Sequence, residues 1–194
     1  MCIPSQILVI LDLDETLIYA TDRPSNAHWD FEVQKYKVFK RPGLDSFLKE
    51  LRKQFKVAVW SSAGDEYVAQ VVGSIFPKGY PLEFVWGRSK ATLQIDHQHM
   101  DDLGYIDYYH HMHYVKHLKK VKKIGFNLNR VLIIDDTQRK SKYNYGNAIY
   151  PSPFEGNKDD TELVQLLKYL KYLKGFENMR SIEKRFWHQH ASKL

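Results

Sequence analysis

"ILDLDETLIY", residues 10–19, is the stretch whose reading decides the fold. The apolar run from Ile7 to Leu11 shows no polar alternation, which is the pattern of a strand buried on both faces. It leads directly into Asp12, Leu13, Asp14, Glu15 and Thr16. A buried strand that ends in closely spaced carboxylates is either a polar surface turn or the edge of a site. The rest of the chain has to separate those two readings.

Working outward, Thr21 to Asn26 reads as a turn-rich break. Phe31, Val33, Tyr36 and Val38 alternate with polar residues and suggest a small hairpin or flap. Pro42–Gly43 opens a helix whose Leu44, Phe47, Leu48 and Leu51 follow helical spacing. Val57–Trp60 is a second buried strand, and Asp65 to Phe76 a second amphipathic helix with Val68, Val71, Val72 and Ile75 inward. Residues 77–114 break the rhythm and read as an irregular insertion. A lysine-rich helix is expected near 115–124 and a third buried strand at Val131–Ile134, running into Asp135 and Asp136. Ala148–Tyr150 reads as a short strand. Asp159–Asp160–Thr161 then cap a helix carrying Leu163, Leu166, Leu167 and Leu170.

Strands alternating with helices imply an α/β fold with a parallel sheet covered on both faces. Ligands in such sheets bind beyond the carboxyl ends of the strands. Asp12 and Asp14 leave one strand at that end, Asp135 and Asp136 another, and Ser61 and Ser62 a third. Carboxylates gathered there repel one another unless a cation sits among them. Hard oxygen ligands with room for water favour Mg²⁺, which pairs with phosphate. A carboxylate beside that ion can attack phosphorus, a second can pass the proton, and a lysine with hydroxyl donors can hold the phosphoryl oxygens.

The whole chain sets the bounds. Its 194 residues suit one domain, expected over 1–175, with 176–194 as a basic tail or helix. Composition is 43% hydrophobic and 27% charged, and the lone Cys2 excludes an intrachain disulfide framework. No apolar run approaches membrane-spanning length, and Asp12 and Asp14 interrupt the only early one, so neither a signal peptide nor a membrane partner is expected. The expected compartment is the cytoplasm. Net charge is +6, concentrated in Lys116 to Lys123 and in the segment after Lys168. Each block reads either as a solvated face or as attraction to an anionic partner, a phosphorylated chain or a nucleic acid.

"LVILDLDETLI" resembles the D-x-D-x-T opening of phosphatases of the haloacid dehalogenase (HAD) superfamily. "KRPGLDSFLKELRKQFKVAVWSSAGDEYV", "YVKHL" and "RVLIIDDTQ" followed by "NAIYPSPFEG" are similar to the CTD-phosphatase branch, the NLI-interacting-factor-like domain, over roughly residues 7–173. The resemblance implies a three-layer Rossmann-like fold with a small flap after the first strand and an insertion in place of a large cap. It also implies Mg²⁺, an aspartyl-phosphate intermediate and a phosphoprotein substrate. Asp12 matches the nucleophile, and Asp14 the acid/base whose backbone carbonyl meets the metal. Thr16 steadies the loop, Ser61 matches the hydroxyl on the phosphoryl oxygens, and Lys116 the lysine that neutralises them. Asp135 and Asp136 match the acidic metal site, Asp136 as the direct ligand, where many relatives carry asparagine.

Ser62 and Arg88 are further candidates for binding substrate. Arg139, Lys140 and Lys142 follow Asp136 and should lie near the same face, which favours an extended anionic substrate. His97, His99, His110, His111, His113 and His117 crowd one segment with Asp96, Asp101 and Asp102, but their spacing fits no standard zinc pattern. A lid over the site, bearing Tyr105, Tyr108, Tyr109 and Tyr114, is the expected role of that segment. The first expectation is a monomeric Mg²⁺-dependent protein serine/threonine phosphatase. A polynucleotide-end or small-molecule phosphatase and a non-catalytic phosphoprotein-binding scaffold remain the alternatives.

Overall fold

The computed structural model describes residues 6–24, 28–95 and 112–194. In chain order the strands and helices are β1 (Leu8–Leu11), β2 (Ile18–Thr21), β3 (Phe31–Val33), β4 (Tyr36–Lys40), α1 (Leu44–Gln54), β5 (Lys56–Trp60) and α2 (Asp65–Ile75). They continue with β6 (Leu82–Trp86), β7 (Thr92–Ile95), β8 (Met112–Val115), α3 (Lys119–Lys123), β9 (Val131–Ile134), β10 (Ala148–Ile149), α4 (Glu162–Leu173) and α5 (Trp187–Ala191).

Five strands form the central sheet in the order β10-β9-β1-β5-β6. All of its pairings are parallel. Along β1 the side chains alternate between two cores. Val9 and Leu11 enter the larger one with α1, α2, α4 and α5, whereas Leu8 and Ile10 enter the smaller one with Leu118 and Val121. Both faces are therefore dry, which is why the run reads as continuous rather than alternating.

Helix α1 shows the same logic at the helical period. Leu44, Phe47, Leu48 and Leu51 form its buried stripe, each contributing about 1.5–3 kcal/mol by leaving water. Gly43 precedes it at φ +78°, a backbone conformation that disfavours any residue with a Cβ. In α2, Tyr67, Val68, Val71 and Ile75 are buried. Val72, expected inward, is only partly buried and packs at the core margin, while Tyr67 takes an inward place.

Three differences from the sequence reading have clear causes. The flap is a three-stranded antiparallel sheet, β2-β4-β3, rather than a hairpin, because β2 pairs antiparallel with β4, Ile18 opposite Lys40 and Thr21 opposite Lys37. Within 77–114, β6 belongs to the central sheet. As an edge strand with every other residue exposed, it lacks the apolar run that marks the interior strands. The lysine-rich helix is only α3, so Lys116 lies ahead of it, between β8 and α3.

Residues 176–194 belong to the same body. Trp187 is 1% exposed, with its Nε1 donating to the Tyr150 carbonyl at 2.9 Å, whereas Phe186 is 52% exposed. Lys184, in the basic C-terminal stretch, is buried and donates to the carbonyls of Gly146, Met179 and Ile182. The histidines, aspartates and lid tyrosines of the 96–111 segment lie outside the described residues. No described helix is long and apolar enough to cross a membrane.

Candidate active site

The carboxyl ends of β1 and β9 lie side by side, with Leu11 opposite Ile134. Asp12 continues that register, its amide donating to the Ile134 carbonyl at 2.9 Å. The chain then reverses sharply. The amides of Thr16, Leu17 and Ile18 all point at the Leu13 carbonyl, and Glu15 takes φ +60°, a region that non-glycine residues seldom occupy. Leu13 is thereby folded into the core while Asp12 and Asp14 remain at the edge.

Asp12, Asp135 and Asp136 each place a carboxylate oxygen within 4.8 Å of the others. Lys116, completely buried, bridges two of them: its Nζ is 3.0 Å from Asp12 Oδ1 and 2.7 Å from Asp135 Oδ2. The Leu13 amide donates to the same Asp12 oxygen at 2.9 Å. Asp12 Oδ2 instead faces Lys140 Nζ at 3.1 Å. Burial alone would push the Asp12 carboxyl up, but the two ammonium groups outweigh it and hold its pKa below the ordinary value. Burial, aided by the Asp12 charge and opposed by Lys116, pushes Asp135 up to about 6.

Asp136 is fixed by its neighbours. Thr16 Oγ1 donates to its Oδ1 at 3.2 Å, the Asp136 amide donates back to Thr16 Oγ1 at 3.2 Å, and Thr137 Oγ1 donates to Oδ2 at 2.6 Å. Asp135 Oδ1 accepts the Thr137 amide at 3.0 Å. With its other oxygen on Lys116, Asp135 orients the lysine, while Asp12 Oδ2 and Asp136 Oδ1 face the same outer side. The donor set is hard oxygen throughout, and it fits a Mg²⁺ ion.

Asp14 points elsewhere. Its Oδ1 accepts a 2.6 Å hydrogen bond from the Tyr67 hydroxyl, so its carboxylate is not part of the three-carboxylate group. Burial raises its pKa, the Tyr67 hydrogen bond opposes that rise and the Asp12 charge adds to it. Asp14 and Tyr67 form one wall of a cavity of about 460 Å³, with Gln34 and Tyr36 from the flap and Arg88 at the rim.

Ser61 directly follows β5 in a buried position. Its Oγ accepts the Ala63 amide at 3.0 Å, which leaves its own proton for a further acceptor. Ser62 offers its carbonyl to Arg88 Nε at 2.9 Å, and neither Ser62 nor Arg88 hydrogen-bonds to the carboxylate group. Gly87 makes the Arg88 position attainable, because a Cβ there would stand 2.8 Å from the Asp65 Cα.

Four contributors escaped the sequence reading: Tyr67, Thr137, Asn144 and Arg41. Asn144 clamps the Lys116 segment, donating to the Lys116 carbonyl and accepting from the Leu118 amide. Arg41 binds the Thr16 carbonyl at 3.0 Å. Lys140 was placed only near the face, and the structure puts it in contact with Asp12.

A parallel α/β sheet with this carboxylate–lysine edge agrees with the family that the sequence motifs resemble. The profile of NLI interacting factor-like phosphatases matches residues 7–180, and the chain belongs to that family. A CTD phosphatase-like protein, 355R, of Invertebrate iridescent virus 3 is 30% identical over 177 residues, covering 83% of this chain and 93% of its own. The human Carboxy-terminal domain RNA polymerase II polypeptide A small phosphatase 1 is 28% identical, covering 84% of this chain and 57% of its own. The Mitochondrial import inner membrane translocase subunit TIM50 of Arabidopsis thaliana is also 28% identical, covering 82% and 35%. The chain thus spans about a third of the plant protein and little over half of the human one. Among solved structures, the RNA polymerase II CTD phosphatase Fcp1 superposes with a TM-score of 0.64 at 19% identity, covering 88% of this chain and 62% of that one. A HAD-like hydrolase from Xanthomonas campestris gives 0.51 at 9% identity, covering 98% and 100%. At such identities the superpositions speak to the fold.

Proposed function

We propose that this chain is a Mg²⁺-dependent phosphomonoesterase that works through an aspartyl-phosphate on Asp12, with a protein phosphoserine or phosphothreonine as substrate. The observation that carries this reading is the division of labour between Asp12 and Asp14. Asp12 is held ionised by Lys116 and Lys140, as a nucleophile must be. Asp14, raised by burial beside an open cavity, is suited to keep and return a proton.

In the first step an Asp12 carboxylate oxygen attacks phosphorus and the bond to the leaving oxygen breaks. Asp14 gives that oxygen its proton. In the second, Asp14 takes a proton from water, whose oxygen attacks phosphorus and releases phosphate from Asp12. Lys116 and the Ser61 hydroxyl meet the charge that spreads over the phosphoryl oxygens. A divalent ion held by Asp12 and Asp136, with the Asp14 carbonyl that the family resemblance implies, would supply further compensation of that charge. The cavity between the flap, Tyr67 and Arg88 gives room for the residues flanking the phosphate.

A second reading, a phosphoprotein-binding scaffold without turnover, draws on the relative named as a translocase subunit. Phosphate release from an aryl phosphate separates the two. The enzyme reading predicts Mg²⁺-dependent release that disappears in Asp12→Asn, whereas equal inactivity of both proteins favours the scaffold. Phosphopeptides should then turn over faster than 5′- or 3′-phosphorylated oligonucleotides. Faster, steeply salt-dependent turnover of the oligonucleotides would overturn the substrate assignment.

A further inference from the structure

Lys140 reaches the carboxylate group from its outer side. Its Nζ lies 3.1 Å from Asp12 Oδ2, 3.6 Å from Asp136 Oδ1 and 3.9 Å from Asp135 Oδ1. The backbone aims it there: the Lys140 carbonyl accepts the Lys116 amide at 2.8 Å, and its own amide donates to the Thr137 carbonyl at 3.1 Å. Two lysines joined through their backbones thus divide one aspartate, Lys116 on Oδ1 and Lys140 on Oδ2.

The two lysines differ in freedom. Lys116 is 0% exposed and held between Asp12 and Asp135, whereas the Lys140 side chain is 22% exposed. The oxygens that Lys140 faces are also those best placed for a divalent ion. Asp12 Oδ1 is taken by Lys116 and the Leu13 amide, and Asp136 Oδ2 by a 2.6 Å bond from Thr137, whereas Asp136 Oδ1 carries the longer 3.2 Å bond from Thr16 Oγ1 and keeps a lone pair toward Lys140. A Mg²⁺ ion sits at about 2.0–2.1 Å from its ligand oxygens. An ammonium group against those same oxygens would be only a few ångströms from a double positive charge, a strongly repulsive arrangement at low effective dielectric.

We propose that Lys140 is a displaceable internal counter-cation of the metal centre. It pairs the Asp12–Asp136 edge, competes with the divalent ion for it, and is released toward the incoming phosphate when the ion binds. This rests on the metal-dependent phosphatase reading and adds to it an energetic coupling between ion and anion. The chain keeps its own competitor, so a phosphate that gives the released ammonium a partner tightens ion binding, and the ion tightens phosphate binding in return.

The test is a direct titration with Mn²⁺, followed by the relaxation of water protons, on wild type, Lys140→Met, Lys140→Gln and Lys140→Arg. Both neutral variants should bind Mn²⁺ at least about fivefold more tightly than wild type, the lower end of ordinary coupling. Lys140→Arg should stay close to wild type. Saturating inorganic phosphate should tighten Mn²⁺ binding more in wild type than in Lys140→Met. Circular dichroism shows whether each variant is folded, and the two neutral replacements guard against a defect peculiar to one. Unchanged or weaker Mn²⁺ affinity in folded neutral variants overturns the inference while leaving the metal centre standing. Failure of every protein, wild type included, to bind Mn²⁺ overturns the metal centre and the inference together.

Discussion

Arg41 Nη2 lies 2.8 Å from Asp160 Oδ2, and the same guanidinium donates to the carbonyls of Thr16 and Ser152. One side chain therefore ties the turn after β1 to the segment entering α4. Arg41 is fully buried and Asp160 14% exposed, so truncating the arginine strands a carboxylate and two carbonyls with little access to water. Arg41→Ala should cost about 3–5 kcal/mol of unfolding free energy, the range for breaking a buried pair. Urea denaturation measures it, and a loss below about 1 kcal/mol would show that the bridge does not hold the turn.

Lys116 has both a catalytic and a structural role in this account. Lys116→Met should lower kcat/KM at least about 100-fold, the scale of losing one donor to the reacting charge. It should also lower stability, because Asp12 and Asp135 are left facing each other without the ammonium between them. An active and stable Lys116→Met protein would move the phosphoryl-binding charge to Lys140 or another residue.

The Tyr67–Asp14 hydrogen bond gives a pH signature. A general acid works while protonated, so the rate falls as pH rises through its pKa. Burial raises the Asp14 pKa and the Tyr67 hydroxyl pulls it back. Tyr67→Phe removes the opposing bond, and the alkaline limb of the kcat profile should move to higher pH. A shift to lower pH, or none, would remove Asp14 from the acid role.

Asp135 and Asp136 should separate in their metal dependence. Asp136→Ala should raise the Mg²⁺ concentration for half-maximal rate at least about tenfold. Asp135→Asn, whose oxygens serve Lys116 and the Thr137 amide, should act mainly through kcat and stability. A larger Mg²⁺ requirement for Asp135→Asn than for Asp136→Ala would reverse the assignment.

What could be read from the sequence follows from how each part is held. β1, β5 and β9 are interior strands buried on both faces, so each is a run of apolar residues that stands out locally. β6 lies at the edge, alternates partly buried and exposed residues, and merges into the unpatterned stretch around it. Asp12, Asp14, Ser61 and Asp136 could be placed because each follows the end of a strand. Lys116 was identified by its motif, but it was put on a helix because lysines crowd the next turn. Arg41, Tyr67 and Asn144 act on partners far along the chain, Asp160, Asp14 and Lys116 respectively, and such tertiary pairs leave no periodic trace in either segment.

The central claim is that Asp12 takes the phosphoryl group, and trapping that adduct tests it most directly. Wild-type protein mixed with an aryl phosphate and Mg²⁺, quenched in acid within the first turnover, should carry a phosphoryl group on the peptide containing Asp12. The adduct should be labile to hydroxylamine, as an acyl phosphate is, and should be missing from Asp12→Asn. Phosphate release with no adduct on that peptide, or an adduct that persists in Asp12→Asn, would contradict the account.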